Sequence, residues 1–459
     1  MDGAPPWNGI GAETLGPEMR KMNKLGWSRP RKSRFFAVIL LLAGSFSSQA
    51  DAISKIEAYS HLGVASCATS VCHGKLSEQP DENVWLNEYR IWSSDDRHSR
   101  AYQTLLSEES KQIAAKLGLP NAQGAKICLD CHADNIVAGK RGRKFQITDG
   151  IGCEACHGGA EKWIESHAEP AATHQDNLAR GMYPTEDAQA RAELCLSCHA
   201  GTATRFANHR IMGAGHPRLS FELEAFTANQ PAHYAVDEDY RRRKGEIGGF
   251  NLWLTGQMAA ARRNLQLLQS DLFELNGMFP EIAFYDCHSC HHSMDELRWS
   301  RSRLKQGIKP GTLRLQESYF VMLQAITDVL KPEDTAGLVK LTNELIQAGQ
   351  QSVDAVHRSA SRLDQWLATH QLLWRDTVVP VSKIRAVRKT LLSYAAKGRM
   401  RDFASAEQTF LGVESLSLYL EDSDAKADTL DALYNKVEND ESYTPDGFQS
   451  AAKRALSVF

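Results

Sequence analysis

Long apolar stretches are scarce in this 459-residue chain, and after the first 52 residues no segment is long and apolar enough to anchor it in a membrane. A spanning helix needs about 20 consecutive, mostly apolar residues. Charge of one sign is lacking too. The formal net charge of −3 is too close to neutral to suggest a nucleic-acid partner, and it becomes −6 when the first 52 residues are set aside. Such mild acidity favours basic partners at low salt, and only as a weak steering effect. No convincing alternation of apolar and polar residues is present, so no strand is expected. From Arg301 to Phe459 there is no cysteine, which marks a composition boundary. The length is sufficient to bury a real core, and more than one.

The N-terminus carries an address. A basic stretch (Arg20, Lys21, Lys24, Arg29, Arg31, Lys32, Arg34) precedes an apolar run from Phe35 to Phe46, and Ser48-Gln49-Ala50 or Ala50-Asp51-Ala52 offers small residues for cleavage. This three-part pattern reads as a signal peptide over residues 1–52, with Met19 or Met22 as alternative starts. A periplasmic or otherwise exported mature chain is expected.

The ten cysteines form five pairs. Four stand as Cys-x-x-Cys-His: Cys128/Cys131/His132, Cys153/Cys156/His157, Cys195/Cys198/His199 and Cys287/Cys290/His291. The fifth pair, Cys67 and Cys72 followed by His73, has four intervening residues. Cys-x-x-Cys-His is the attachment signature of c-type haem. Two thiols add across the vinyl groups of one porphyrin edge, and the next imidazole then lies under the iron. Zinc knuckles and redox or structural disulfides also use paired cysteines, but neither requires a histidine directly after the second one. Five covalently attached haem c groups are therefore expected; at the wide Cys67/Cys72 pair a local disulfide is the competing reading.

Haem iron takes an axial residue on each face, and the second one sets potential and reactivity. Five of the 16 histidines are the proximal ones; between Ile53 and Met294 a further nine are available: His61, His98, His167, His174, His209, His216, His233, His288 and His292. Supply exceeds demand, which points to mostly bis-histidine ligation. His61, His98, His167, His174, His209 and His216 are taken as the distal candidates. Met212 and Met294 are available but unmarked, and His357 and His370 read as structural residues.

Two local patterns and the succession of attachment motifs resemble the multihaem cytochromes of the cytochrome c-554 type. One pattern is Trp92-Ser93-Ser94-Asp95-Asp96-Arg97-His98; the other is Gly150-Ile151-Gly152-Cys153-Glu154-Ala155-Cys156-His157-Gly158. The resemblance covers roughly residues 60 to 220. It implies that the Trp-x-x-Ser-x-x-His-like segment carries a distal ligand, which makes His98 the best single candidate. The wide first motif, the fifth pair and the long C-terminal region depart from a four-haem pattern.

The fold expected is mainly α: a pentahaem cytochrome domain over residues 53–300, with haems forming much of its core, then a helical bundle over residues 301–459. Helical patterns run over Ser107–Leu117, Phe250–Leu275, Leu313–Leu330, Thr335–Leu367, Val381–Ala396, Ala404–Leu420 and Asp428–Val437. Gly213-Ala214-Gly215-His216-Pro217 reads as a turn whose flanking His209 and His216 serve neighbouring haems. Arg241-Arg242-Arg243-Lys244 is a basic run that reads as a solvated face, with docking of an acidic partner or neutralisation of propionates as the functional reading. The function expected is electron transfer between redox proteins acting as donor and acceptor, with docking to a membrane redox complex as a further option. The competing reading is a multihaem oxidoreductase acting on a small nitrogen or sulfur compound at one open-coordinate haem.

Overall fold

Side-chain caps start many of the helices. Ser107 accepts from the Ser110 N–H at the head of Glu108–Leu117, and Gly118, at φ 73°, ends that helix in the left-handed conformation. Thr173 and Asp176 form a reciprocal capping box around His174–Ala179. Asp187 caps Ala188–His199, Asn208 caps His209–Gly213 and Asp402 caps Phe403–Tyr419. The computed structural model describes residues 52–76, 85–245, 249–274, 279–291, 308–309, 312–374 and 378–459. The export signal up to residue 51, His292, Met294 and the expected boundary at 300/301 lie outside the described residues.

The protein is mainly α-helical. Among the described residues there is no strand, only isolated bridges such as His61 with Arg141 and Tyr285 with Leu315. No described helix is long and apolar enough to cross a membrane.

The packing changes character along the chain. Residues 52–223 hold small, separate apolar clusters around Leu105 and Leu129, around Ile56 and Tyr183, and around Leu196 and Phe221. One large cluster then runs from Phe250 to Ala455. The helix Gly249–Leu268 joins the two regions. Its Leu252, Ala259 and Ala260 pack with Leu196 and Leu223, whereas Trp253, Met258 and Leu265 enter the large core. At Gly256 an added Cβ would fall 2.6 Å from the Leu223 Cβ, so glycine is what permits that close approach. The bundle core thus begins some fifty residues before residue 301.

Most expected helices form: Ser318–Leu330, Val381–Ala396, Phe403–Tyr419 and Ala427–Tyr434. Two readings need correction. The pattern over 335–367 is two helices, Pro332–Ala348 and Val353–Trp374, broken where Gly349 follows the first and the Ser352 hydroxyl accepts the Ala355 N–H at the head of the second. The helix expected to reach Leu275 stops at Leu268, and Ser270 starts a short 3-10 turn instead. Pro445–Leu456 is a further helix that the periodicity reading passed over; proline at its first turn starts it.

Candidate functional site

Three of the cysteine motifs are built on helix ends. Cys128–His132 closes the helix Lys126–His132, Cys153–His157 is a short helix of its own, and Cys195–His199 ends Ala188–His199. A helical turn places both thiols and the imidazole on one side. The fifth motif forms a 3-10 turn at Cys287–Ser289 in which the His291 N–H donates to the Cys287 carbonyl at 2.8 Å. The wide motif keeps the same closure: the His73 N–H donates to the Cys67 carbonyl at 3.1 Å, and the two extra residues are accommodated in a turn closed by Thr69. All ten cysteines are free thiols, so no disulfide links Cys67 to Cys72.

At the fifth motif Cys287 and Cys290 are exposed, whereas the other eight cysteines are partly buried. Asp286, just before the motif, is buried, and its N–H donates to the Arg314 carbonyl at 2.8 Å. Cys290 closes the 3-10 turn by donating its N–H to the Cys287 carbonyl at 3.1 Å, and its thiol side stays open to solvent.

Each motif histidine faces a second histidine. The pairs are His73–His167, His132–His216, His157–His233, His199–His98 and His291–His209, with ring centres 6.2, 6.3, 6.3, 6.2 and 6.1 Å apart. Two imidazoles on opposite sides of one metal ion, each nitrogen about 2 Å from it and about 1.1 Å ahead of its ring centre, sit roughly 6.2 Å apart. The spacing therefore fits an iron between each pair, although these are the outer limits of a stacking contact and far too long for a hydrogen bond. The outer nitrogens agree. Nδ1 of His73 bonds Glu88 at 2.9 Å, and Nδ1 of His98 bonds Asp96 at 2.9 Å. Nδ1 of His132, His167 and His216 bonds the carbonyls of Ala101, Ile164 and Pro217. Metal-bound histidines are oriented in this way, with Nδ1–H donated to a carboxylate or carbonyl and Nε2 turned to the metal. Burial also keeps the inner rings neutral, the form a metal ligand needs. It pushes His157 down to about 3, helped by His233, and His199 down to about 4, helped by His98.

Four of the expected distal candidates, His98, His167, His209 and His216, stand opposite a motif histidine. Two do not. His61 is fully buried, but its Nδ1 bonds Asp134 at 2.7 Å and its Nε2 the Ile56 carbonyl at 3.1 Å, so neither nitrogen is left. Burial works against a proton on His61, yet the Asp134 carboxylate outweighs it and raises the pKa. His174 turns its Nε2 onto Glu186 at 2.7 Å. The fifth facing residue is His233, one of nine available histidines that nothing in its sequence neighbourhood singles out. Among the others, His288 bonds the Asp440 carbonyl and His370 lies against Trp366 with Nδ1 on its carbonyl.

Glu154, in the middle of the second Cys-x-x-Cys-His motif in the resemblance, has a structural part. Its buried carboxylate accepts the N–H groups of Leu62, Gly63 and Ala160 at 2.7 to 2.8 Å, tying the loop after His61 to the attachment helix. The basic run 241–244 is largely offset by its own helix, since Arg242 and Arg243 both pair with Asp239.

The motifs adjoin one another in an order different from that in the chain. Cys67 and Cys153 lie near enough to shift each other's thiol, as do Cys131 and Cys198. Cys156 lies close enough to Cys195 and Cys198 to feel their charge. His209 and His216, at the start of one short helix and just past its end, face the fifth and second motifs. The spatial succession is first, third, fourth, second, fifth.

Helical architecture, paired cysteines with following histidines and a second histidine opposite each are the features that a multihaem c-type cytochrome would need. The sequence comparison agrees: residues 66–158, which hold the first three motifs, match the sequence model of the family described as cytochrome c554 and c-prime. Searches of curated proteins and of solved structures found no match.

Proposed function

We propose that this chain is an exported electron relay that holds five haem c groups, each between two histidines, and passes electrons between redox proteins. The observation that carries the reading is the pairing itself: every motif histidine faces another at 6.1 to 6.3 Å. Each haem supplies a one-electron iron centre. The residues of the chain do the rest. Cys67/Cys72, Cys128/Cys131, Cys153/Cys156, Cys195/Cys198 and Cys287/Cys290 attach the five groups. His73 with His167, His132 with His216, His157 with His233, His199 with His98 and His291 with His209 hold the irons.

Adjacent attachment cysteines would bring neighbouring groups close, and the small size of the buried apolar clusters before residue 223 is consistent with porphyrins completing that core. The oxidoreductase alternative needs an iron with one open face; the pairings favour the relay because a histidine stands opposite each motif histidine. Export to the periplasm follows from the N-terminal signal pattern and from the oxidising, haem-attaching compartments in which such motifs are used.

The test is a haemochrome count on the purified holoprotein followed by EPR of its oxidised form. Five haems per chain, all low-spin, are expected. A high-spin ferric signal in near-stoichiometric amount would overturn the relay and make that site catalytic.

A further inference from the structure

The five sites differ in what stands behind their histidines, and this inference rests on the bis-histidine reading above. A carboxylate accepting Nδ1–H draws the proton toward itself and gives the imidazole anionic character, so the ligand donates more strongly; a carbonyl does so less. A stronger donor with a negative charge behind it favours ferric over ferrous iron and lowers the potential.

Among the described residues, two of the ten facing histidines bond carboxylates in this way. His98, opposite His199, bonds Asp96 at 2.9 Å, and His73, opposite His167, bonds Glu88 at 2.9 Å. By contrast, both members of the His132–His216 pair bond backbone carbonyls, at 3.2 and 2.7 Å.

Asp96 is fixed in place. It is buried at 5 % exposure, and its Oδ1 also accepts the His98 backbone N–H at 2.9 Å. Its Oδ2 accepts the Gln230 side-chain N–H at 3.0 Å. Among the described residues no lysine or arginine forms an ion pair with it, so the His98 imidazole is its only ring partner. Glu88 is held by the Leu86 N–H at 3.2 Å and is more open to solvent, its side chain 18 % exposed against 7 % for Asp96. Water screens its charge more, which makes its influence the weaker of the two.

We propose that Asp96 and Glu88 are positioning residues that lower the potentials of the His98/His199 and His73/His167 sites relative to the carbonyl-backed His132/His216 site. Each site takes one electron from the reductant, ferric iron becoming ferrous, and the Nδ1 proton stays on the imidazole. The His132/His216 site is then reduced ahead of its neighbour in space, the His98/His199 site.

The test is a dithionite titration of the holoprotein with redox mediators, read by EPR, on the wild type, Asp96→Asn, Asp96→Glu and Glu88→Gln. The geometry separates the His73/His167 signal: its planes are near parallel at 13°, which splits the iron dπ orbitals and gives a rhombic spectrum. The His98–His199, His132–His216 and His157–His233 planes cross at 89°, 85° and 88°, which leaves the orbitals nearly degenerate and gives three strongly anisotropic signals, of which only one should respond to Asp96.

Asp96→Asn is expected to raise one anisotropic signal's ferrous-to-ferric ratio about tenfold at fixed ambient potential, about 59 mV for a one-electron couple. Asp96→Glu should largely restore it. Glu88→Gln is expected to shift the rhombic signal the same way, by less. Unmoved signals, or all five moving together, would overturn the proposal. If Asp96→Asn releases His98 and a high-spin signal appears, Glu88→Gln decides, because His73 is tethered beside Cys72. A wild type lacking five low-spin haems defeats the relay reading itself; a low-spin wild type with unshifted variants defeats this inference alone.

Discussion

In the proposed relay a histidine serves as a ligand through what its second nitrogen does. His61 and His233 look alike in sequence: each is a lone histidine in a mixed segment. His61 has both nitrogens bonded, to Asp134 and to the Ile56 carbonyl, while His233 meets Tyr234 edge-on and faces His157. The outcome expected from this difference is specific. His233→Ala should convert one haem per molecule to a high-spin or weak-ligand form in the EPR spectrum, whereas His61→Gln and His174→Gln should leave all five low-spin. A new high-spin signal in either control would place a ligand where the hydrogen bonds exclude one.

Among the elements, the helix Leu223–Asn229 carries a strongly perturbed acid at its head. Glu222 caps it by accepting the N–H groups of Glu224 and Ala225, and takes a third bond from the Ser415 hydroxyl across the contact with Phe403–Tyr419. Burial at 1 % exposure pushes its carboxyl up from 4.5 to about 7, against the pull of those donors. The folded state therefore holds a proton that the unfolded chain has released. The stabilisation is fully present below about pH 4.5 and is lost as pH rises through 7. The shift amounts to on the order of 3 kcal/mol. Thermal melts of wild type and Glu222→Gln across pH 5 to 8 should show the wild type losing ground steadily against the variant. A pH-independent difference would mean that Glu222 does not titrate in this range. Phe221, next in the chain, stacks on His199 at 4.8 Å, so this contact also bears on a ligand ring.

For the molecule as a whole, the cytochrome region and the bundle share one helix. Trp253, fully buried on Gly249–Leu268, stands in the core that continues to Ala455, and its indole lies 3.2 Å from where a Cβ on Gly412 would be. The fifth motif is fastened to the same core: Asp286 N–H donates to the Arg314 carbonyl, and His288 packs against Phe403 and Tyr443. Trp253→Ala should cost about 3–5 kcal/mol. Far-UV circular dichroism and the low-spin haem spectrum should then be lost in one transition at lower denaturant. Two separated transitions, with the haem signal surviving the first, would show that the regions unfold independently.

The attachment chemistry was legible in the chain because it is local: two thiols and an imidazole must lie within a few residues, so spacing alone identifies them. Spacing says nothing of exposure, however, and Cys290 reads the same as Cys131 or Cys156 although folding leaves it at the surface. Helix positions in the C-terminal region were legible for a similar reason, since a repeating apolar face persists whatever it packs against. The break at Gly349 and the helix after Pro445 escaped because periodicity carries no mark of where one helix yields to the next. Distal pairing was beyond the sequence altogether. His98 reaches His199, and His209 reaches His291, across about a hundred and about eighty residues. Such meetings depend on where the whole fold brings each ring and on which neighbour takes its outer nitrogen. The same holds for the order of the sites and for the carboxylates of Asp96 and Glu88, whose influence exists only because folding sets them behind a histidine and away from water.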